Sequence, residues 1–564
     1  MSTPDSSTSA GPVPAQRVRS FARFADRRVP ERPAGVSRRA VLGSAVGAGV
    51  ALGVGCPFAA PASAASSAVR ARHATALRGI DTARDARALQ GRFGFLFPGL
   101  APSAPSDDAL TGLGRAMTDL RVPGTDPSVR DGLDNDGIPS GYTFFGQFVD
   151  HDLTSDQTPL TEQQQDPTAT KNFDSPWLDL RSVYGRGPAR DPQLYDPTVH
   201  GKLLVGHHDG IDDLPRTASG QAIIGDARND ENLLVAQVHL LFIKLHNRFL
   251  AKTGDFDKAR QLTRWHYQHL VVNDFLVRFV GRDTVAACLG RNAKGRLVFR
   301  GTFYKPKNKS RPMIPVEYSG AAYRFGHSII RPEYEVSQGN IRRIFGSPQD
   351  DLSGGRPLPP AAEVDWNYFF RIPGVQRPDD RNMTRRIDTL LAMPLHDLPG
   401  QAAGLTDLAV RNLLRGKRYG MASGQAVATA MGLAPLSDAE LGLGPEFAGN
   451  APLWFYVLRE AELRGRGRRL GPVGGRIVAE TFLGLMALDS TSYFQVPWFK
   501  PVKKGWGMGR LVRYVGARYD LVADVEAPPT PETPEDQALE LPETDLQGDE
   551  APETEPVDQE VPIP

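Results

Sequence analysis

The chain has 564 residues, of which 40% are hydrophobic and 23% are charged, a composition typical of a globular protein. With 66 Lys and Arg against 65 Asp and Glu, the formal net charge is +1. This balance gives no reason to expect nucleic acid as a partner. Only two cysteines occur, Cys56 and Cys288, which excludes zinc clusters and iron–sulfur centres built on several cysteines.

Residues 1–64 have the pattern of an export signal with a long n-region. The pair Arg38 and Arg39 precedes a Gly- and Ala-rich apolar run, and Ala62-Ser63-Ala64 follows as a small-residue cleavage site. The paired arginines indicate a twin-arginine signal. The apolar run is shorter than the ~20 residues that a membrane span needs. We therefore expect export by the twin-arginine machinery, a secreted or extracytoplasmic protein, and no stable membrane anchor.

The body of the chain, residues 65–525, is predicted to be mostly helical. Apolar residues recur at helical spacing in four segments: 232–250, 260–280, 412–416 and 474–485. Alternating strand patterns are few, and no obvious linker divides the body. We therefore predict a single large, mainly α domain with long loops and little β structure.

The last segment, residues 526–564, is mostly Glu, Asp, Pro and Thr and contains no Lys or Arg. Such a tract cannot bury enough apolar surface to offset the entropy cost of ordering it. It is predicted to be a disordered acidic tail.

The first segment with candidate chemical groups is 145–152. If it is helical, Gln147 and His151 lie one turn apart on the same face, while Asp150 and Asp152 flank the histidine on different faces. Such a helix can present a base and an amide to one cavity. A histidine near a helix end, with ordinary solvated acids beside it, would give the same pattern.

Two further segments stand out, 225–232 and 323–332. Asp and Asn in the first are good N-cap residues for the helix that follows. Arg228 is poorly placed there, because a helix N-terminus favours anions, which indicates a specific role. In the second, His327 lies among apolar residues and could be a buried structural histidine. Its neighbour Gly326 would instead let a flat macrocycle approach the backbone above an axial histidine.

Together these segments resemble the animal-type haem peroxidases of the peroxidase–cyclooxygenase superfamily, the myeloperoxidase-like proteins, in their bacterial branch. The similarity lies in motifs that occur in the family's order along the chain: Gly146–Asp152, Val183–Gly185, Arg228–Glu231, Arg324–His327 and Asn412. The resemblance covers most of the body. It implies a haem b cofactor and a peroxidase that reduces hydrogen peroxide through a ferryl intermediate, compound I, and oxidises a small anionic or phenolic donor such as a halide or thiocyanate.

The resemblance also implies roles for individual residues. His151 would be the distal base, Arg228 would stabilise charge on the leaving oxygen, and Gln147 would lie where a halide or water binds. His327 would be the axial iron ligand in a motif that begins at Arg324. Asn412 would accept the Nδ1–H of that histidine, as outer partners of metal-bound histidines do.

Asp150 and Glu231 match the two acids that esterify the haem in the animal enzymes, so up to two ester links are expected. Asn232 stands where a methionine forms a third, sulfonium link in one of those enzymes, so no such link is expected.

The family's calcium loop would use Asp152, Ser175, the Trp177 carbonyl and Asp179, which supply the oxygen ligands that calcium prefers. Arg181 stands where the family usually has Ser, which leaves calcium binding open.

Two alternatives to the peroxidase remain open. A fatty-acid dioxygenase of the cyclooxygenase type needs a tyrosine three residues before the axial histidine. Arg324 occupies that position, and the nearest tyrosine is Tyr323. An exported haem-binding protein without catalysis would not need His151 and Arg228. The sequence does not determine the donor or the oligomeric state.

Overall fold

A computed structural model of the chain describes residues 91–119, 134–154, 171–172, 176–310, 312–378, 380–401 and 406–516. The expected export signal at 1–64, the expected acidic tail at 526–564 and the expected calcium ligand Ser175 lie outside the described residues. No helix within the described ranges is both long enough and apolar enough to cross a membrane.

The described residues form a mainly α-helical domain, as predicted. Its α-helices are α1 (Asp107–Ala116), α2 (Gly141–Leu153), α3 (Arg181–Tyr184), α4 (Leu233–Thr253), α5 (Phe256–Leu270), α6 (Val277–Val280), α7 (Arg282–Ala287), α8 (Val316–Ser319), α9 (Leu408–Arg418), α10 (Gly424–Ala430), α11 (Asp438–Leu441), α12 (Leu453–Arg464), α13 (Pro472–Leu488) and α14 (Met508–Val515). The helical segments expected from apolar periodicity correspond to α4, to α5 and its continuation, to α9 and to α13.

The strands are short and form small separate sheets. They are β1 (Gly91–Gly94), β2 (Thr118–Asp119), β3 (Asp134–Pro139), β4 (Lys171–Asn172), β5 (Gly206–His208), β6 (Ile211–Asp213), β7 (Leu289–Arg291), β8 (Leu297–Phe299), β9 (Met313–Pro315), β10 (Glu333–Ser337), β11 (Asn340–Arg343), β12 (Met383–Arg385) and β13 (Leu391–Ala392). Among the described strands, β1 pairs with β4 and β9, and the others form two-stranded sheets. The little β structure expected is therefore observed.

Aromatic side chains pack one face of α2 against α4 and α5. The rings of Phe148 and Phe242 lie parallel with their centroids 5.0 Å apart, and Tyr267 contacts Phe148 edge-on at 6.1 Å. Phe145 contacts Phe275 edge-on at 5.8 Å. All five rings are buried. Truncating one such ring to alanine costs about 3–5 kcal/mol, so this packing fixes which face of α2 remains for chemistry.

The helical pattern over 260–280 is confirmed, but the helix is not regular throughout. Between α5 and α6, residues Val271–Leu276 form a π-helical segment. In that segment Asp274 accepts hydrogen bonds from the Tyr142 hydroxyl at 2.8 Å and from the backbone N–H of Met508 at 2.8 Å. Arg278 donates to the same carboxylate at 2.7 Å. Apolar periodicity carries no signal for the contacts from Tyr142 and Met508, because both residues lie in distant parts of the chain.

Candidate active site

Helix α2 presents Gln147, Asp150 and His151 on a face that the aromatic core leaves open. Gln147 and Asp150 are half-buried, whereas Phe148 and Val149 between them are fully buried. His151 is 7% exposed. Gln147 and His151 do lie one helical turn apart, because α2 runs without interruption from 141 to 153.

Gly146 lets two other segments approach α2 closely. A Cβ at this position would lie 3.0 Å from the ring of Phe275, which is tighter than ordinary packing allows. The hydroxyl of Tyr323 donates to the Gly146 carbonyl at 3.0 Å. Tyr323 belongs to the 3₁₀ turn Ala322–His327, so the segment that carries His327 is joined directly to the helix that carries His151.

Arg228 lies in a 3₁₀ turn, Ala227–Asp230, whose N-cap is Asp226. Its guanidinium donates to the His151 carbonyl at 2.8 Å and to the Thr154 carbonyl at 2.6 Å. It also donates to the Asp226 carboxylate at 2.8 Å. The two carbonyls belong to the C-terminal end of α2, where a helix favours a cation. Arg228 therefore complements the end of α2 rather than the start of α4.

The two acids expected to bind haem, Asp150 and Glu231, both lie near Arg228. Burial lowers the pKa of the Arg228 guanidinium, but the carboxylates of Asp226, Asp150 and Glu231 outweigh it and raise that pKa. Burial also raises the pKa of Asp150, and the positive charges of Arg324 and Arg228 oppose that rise. Arg324, which lies in the same 3₁₀ turn as His327, therefore places a positive charge near the Asp150 carboxylate on α2.

Sequence reasoning missed a buried ion-pair network behind the Arg228 turn. The Arg216 side chain is fully buried and donates to both carboxylate oxygens of Asp230 at 2.8 Å. Its Nε donates to Asp213 at 2.8 Å. Asp230 is the last residue of the turn, so Arg216 anchors the turn from behind. No periodicity or motif marks Arg216.

Asn229 is the second residue that sequence reasoning missed. The sequence indicates only that it belongs to a capping segment, and its one signal is its position directly after Arg228. Its side-chain oxygen lies 2.9 Å from Nδ1 of His151, and its side-chain nitrogen lies 2.9 Å from Nδ1 of His239. Asn229 and His239 are both fully buried.

His327 ends the 3₁₀ turn and faces Asn412 on α9. The two side chains meet at 2.8 Å, between His327 Nδ1 and Asn412 Nδ2. The amide oxygen of Asn412 accepts from Arg324 at 3.3 Å. The expected pair is therefore in contact, but the amide presents its nitrogen to the ring rather than its oxygen. Burial, together with the positive charges of Arg324, Arg415 and Arg411, lowers the pKa of His327 to about 3.

Comparisons with known proteins identify the family of the chain. Residues 160–441, half of the chain, match the family model described as animal haem peroxidase. The chain belongs to the animal haem peroxidase family. The match includes the segments of Arg228, His327 and Asn412 and begins after the helix that carries His151.

Two curated relatives and one solved structure illustrate the similarity. Peroxidasin of Drosophila melanogaster is 24% identical over 406 residues, which are 62% of this chain and 25% of that protein. Chorion peroxidase of Aedes aegypti is 26% identical over 348 residues, 56% of this chain and 41% of that protein. Each match thus spans less than half of the relative's length. Peroxidase A from Dictyostelium discoideum superposes with a TM-score of 0.56 at 16% identity, over 77% of this chain and 95% of that one, which shows the shared fold.

The animal haem peroxidase family implies haem, and the residues on the His327 side fit it. The pKa of His327 is lowered to about 3, so its imidazole is neutral, as an iron ligand must be. The guanidiniums around it suit the carboxylates of a porphyrin. A Cβ on Gly326 would meet no atom within 4 Å, so open space borders the backbone next to the ligand position.

The expected calcium loop shows a competing cation. Asp152 is fully buried and accepts from the Leu180 backbone N–H at 3.1 Å. Asp179 accepts from the Arg181 backbone N–H at 3.1 Å, and the Arg181 guanidinium lies 3.7 Å from the same carboxylate. Trp177 is half-buried. Arg181, at the position where the family usually has Ser, thus supplies positive charge beside one of the two carboxylates.

Proposed function

We propose that the protein is a haem peroxidase that reduces hydrogen peroxide and oxidises halides, thiocyanate or small organic donors. One observation carries this proposal: the Arg228 guanidinium is bonded to the carbonyl of His151, so a base and a cation occupy one end of one helix. Family membership and the neutral His327 imidazole on the opposite segment support it. Haem, when bound, would supply an iron that accepts a peroxide oxygen and the redox capacity to oxidise a donor.

On the distal side, we propose that His151 takes a proton from one peroxide oxygen at Nε2 and returns it to the departing oxygen. This requires a neutral ring with its other proton on Nδ1, next to Asn229. Arg228 stabilises negative charge as the oxygen leaves, and its three fixed contacts hold the guanidinium in place for that task. Gln147, one turn before His151, binds the halide or water that faces the base.

On the proximal side, we propose that Nε2 of His327 binds the iron. We propose that on iron binding the Asn412 amide turns, so that its oxygen leaves Arg324 and accepts the Nδ1–H of the ligand, which makes the ligand more basic. Arg324 and its neighbouring guanidiniums bind the carboxylates of the cofactor. Asp150 and Glu231, both near Arg228, are the proposed attachment points for up to two haem esters.

Two further proposals concern calcium and export. We propose that Asp152, Ser175, the Trp177 carbonyl and Asp179 bind calcium, and that Arg181 weakens this binding because its charge lies beside Asp179. We also propose that residues 1–64 direct export by the twin-arginine machinery and are then removed, which leaves the catalytic domain at 65–525 and the acidic tail outside the cytoplasm.

The decisive experiment compares the haem-supplied wild type with His151→Ala and His327→Ala. The wild type should show a Soret band and react with hydrogen peroxide. His151→Ala should keep the band and lose roughly 10²- to 10⁴-fold in the rate of that reaction, the usual contribution of a general base. His327→Ala should change the band itself. His200→Ala serves as the control, because that histidine is exposed.

Two results would contradict the proposal. One is a His151→Ala protein that reacts as fast as the wild type, which would favour a haem-binding protein without catalysis. The other is oxygen uptake with linoleate that disappears in Tyr323→Phe, which would favour a fatty-acid dioxygenase.

A further inference from the structure

The Asn229 amide lies between two buried imidazoles, and it makes a hydrogen bond to each. Its oxygen is 2.9 Å from Nδ1 of His151, and its nitrogen is 2.9 Å from Nδ1 of His239. An amide oxygen can only accept and an amide nitrogen can only donate. In this arrangement His151 therefore carries a proton on Nδ1, which leaves Nε2 with its lone pair, and Nδ1 of His239 is the acceptor.

His239 accepts from the amide nitrogen when its own ring proton lies on Nε2. It is fully buried on α4, and burial lowers its pKa to about 3, so its ring stays neutral and keeps one nitrogen without a proton. The ring of Phe148 contacts it edge-on at 5.9 Å and holds it in place. Reversing the Asn229 amide would require both histidines to change tautomer together.

The backbone of Asn229 is also fixed. Its N–H donates to the Asp226 carbonyl at 3.0 Å, which closes the turn. The next residue, Asp230, is held by two hydrogen bonds from the buried Arg216. The backbone that carries the amide is therefore held in place, and the contacts with the two imidazoles orient the amide itself.

We propose that Asn229 is a positioning residue that holds His151 in the tautomer with the proton on Nδ1, and that His239 sets the orientation of the Asn229 amide. This inference rests on the proposed peroxidase function, because it assigns the tautomer of the distal base before peroxide binds. A histidine with its proton on Nε2 would have no lone pair there with which to take the peroxide proton. Nothing in the sequence motifs specifies either residue.

The test uses the intact haem protein and two measurements. The first is the C–O stretching frequency of the carbon monoxide complex of the reduced protein, which falls when a neighbouring N–H donates to the bound ligand. The second is the rate of reaction with hydrogen peroxide. The variants are Asn229→Leu, which removes the acceptor, and His239→Phe, which removes the partner of the amide. His239→Met is included because its thioether can accept a hydrogen bond but cannot donate one.

Asn229→Leu should lower the C–O stretching frequency, because the released His151 ring populates the form with the proton on Nε2. Its reaction with peroxide should slow by roughly 10- to 100-fold, as is usual when an outer partner of a site histidine is removed. His239→Phe should give two C–O bands, since the Asn229 amide can adopt both orientations in that variant. His239→Met should resemble the wild type more closely than His239→Phe does. Asn247→Leu is the matched control, because that amide, in another part of α4, bonds within the described residues to the backbone of Leu203.

The proposal would be overturned if Asn229→Leu matched the wild type and Asn247→Leu in both measurements. A wild type that already shows the lower frequency, which Asn229→Leu then raises, would also overturn it. If Asn229→Leu does not fold, a single unshifted band in His239→Phe refutes the proposal and two bands support it. Failure of the peroxidase function itself would look different: the wild type would show no Soret band, or His151→Ala would react normally.

Discussion

Arg216 bridges two buried aspartates behind the Arg228 turn, so its replacement should have a large effect on stability. The side chain of Arg216 is fully buried, and those of Asp213 and Asp230 are 1% and 7% exposed. In Arg216→Met the methionine fills part of the space, but both carboxylates lose the buried guanidinium that bridges them. Removing one partner of a buried ion pair costs about 3–5 kcal/mol, because the charge left behind is not compensated.

The expected loss in the free energy of unfolding is therefore about 3–5 kcal/mol for Arg216→Met. Asp230→Asn and the double variant complete a double-mutant cycle. Because both changes act on the same contact, the double variant should lose less than the sum of the single variants, by more than about 1 kcal/mol. Unfolding in urea, followed by circular dichroism, measures all four proteins. Arg468→Met is the control, since the Arg468–Asp136 pair is exposed and should contribute no measurable stability.

A loss below about 1 kcal/mol in Arg216→Met, or strictly additive effects in the cycle, would refute this reasoning. Such a result would mean that water or a rearranged backbone compensates the two carboxylates. The Arg228 turn would then be held by its own capping contacts alone, and Arg216 would have no part in fixing Asn229.

Three further predictions concern groups outside this network. Burial raises the pKa of Glu317 to about 7, above its ordinary value of 4.5, so the folded state binds this proton more tightly than the unfolded state. The stability from this group is complete below about pH 4.5 and is lost as the pH rises through 7; urea unfolding from pH 5 to 8 should show a smaller decrease in Glu317→Gln. Cys288 is fully buried and burial raises its pKa to about 11, so in a Cys56→Ala protein a thiol reagent should react only after unfolding; reaction with the native protein would contradict this. Arg181→Ser should bind calcium at least about tenfold more tightly by isothermal titration, a difference of about 1.4 kcal/mol, and unchanged affinity would argue against competition at Asp179.

The sequence alone predicted four of the helical segments and the family to which the chain belongs. Apolar periodicity over 232–250 corresponds to α4, because a helix that buries one face must repeat its apolar residues at helical spacing. The motifs around His151, Arg228 and His327 led to the family that the comparisons then showed. Each of these signals lies within a short stretch of chain, where neighbouring residues determine the local structure.

Only the tertiary structure decided how these segments are held together. His327 contacts Asn412 across 85 positions of sequence, and Arg228 contacts the His151 carbonyl across 77. The roles of Asn229 and Arg216 depend on which buried polar groups packing brings within hydrogen-bonding distance of them. A buried donor or acceptor must find a partner wherever the fold supplies one, and no local pattern in the sequence records where that partner lies.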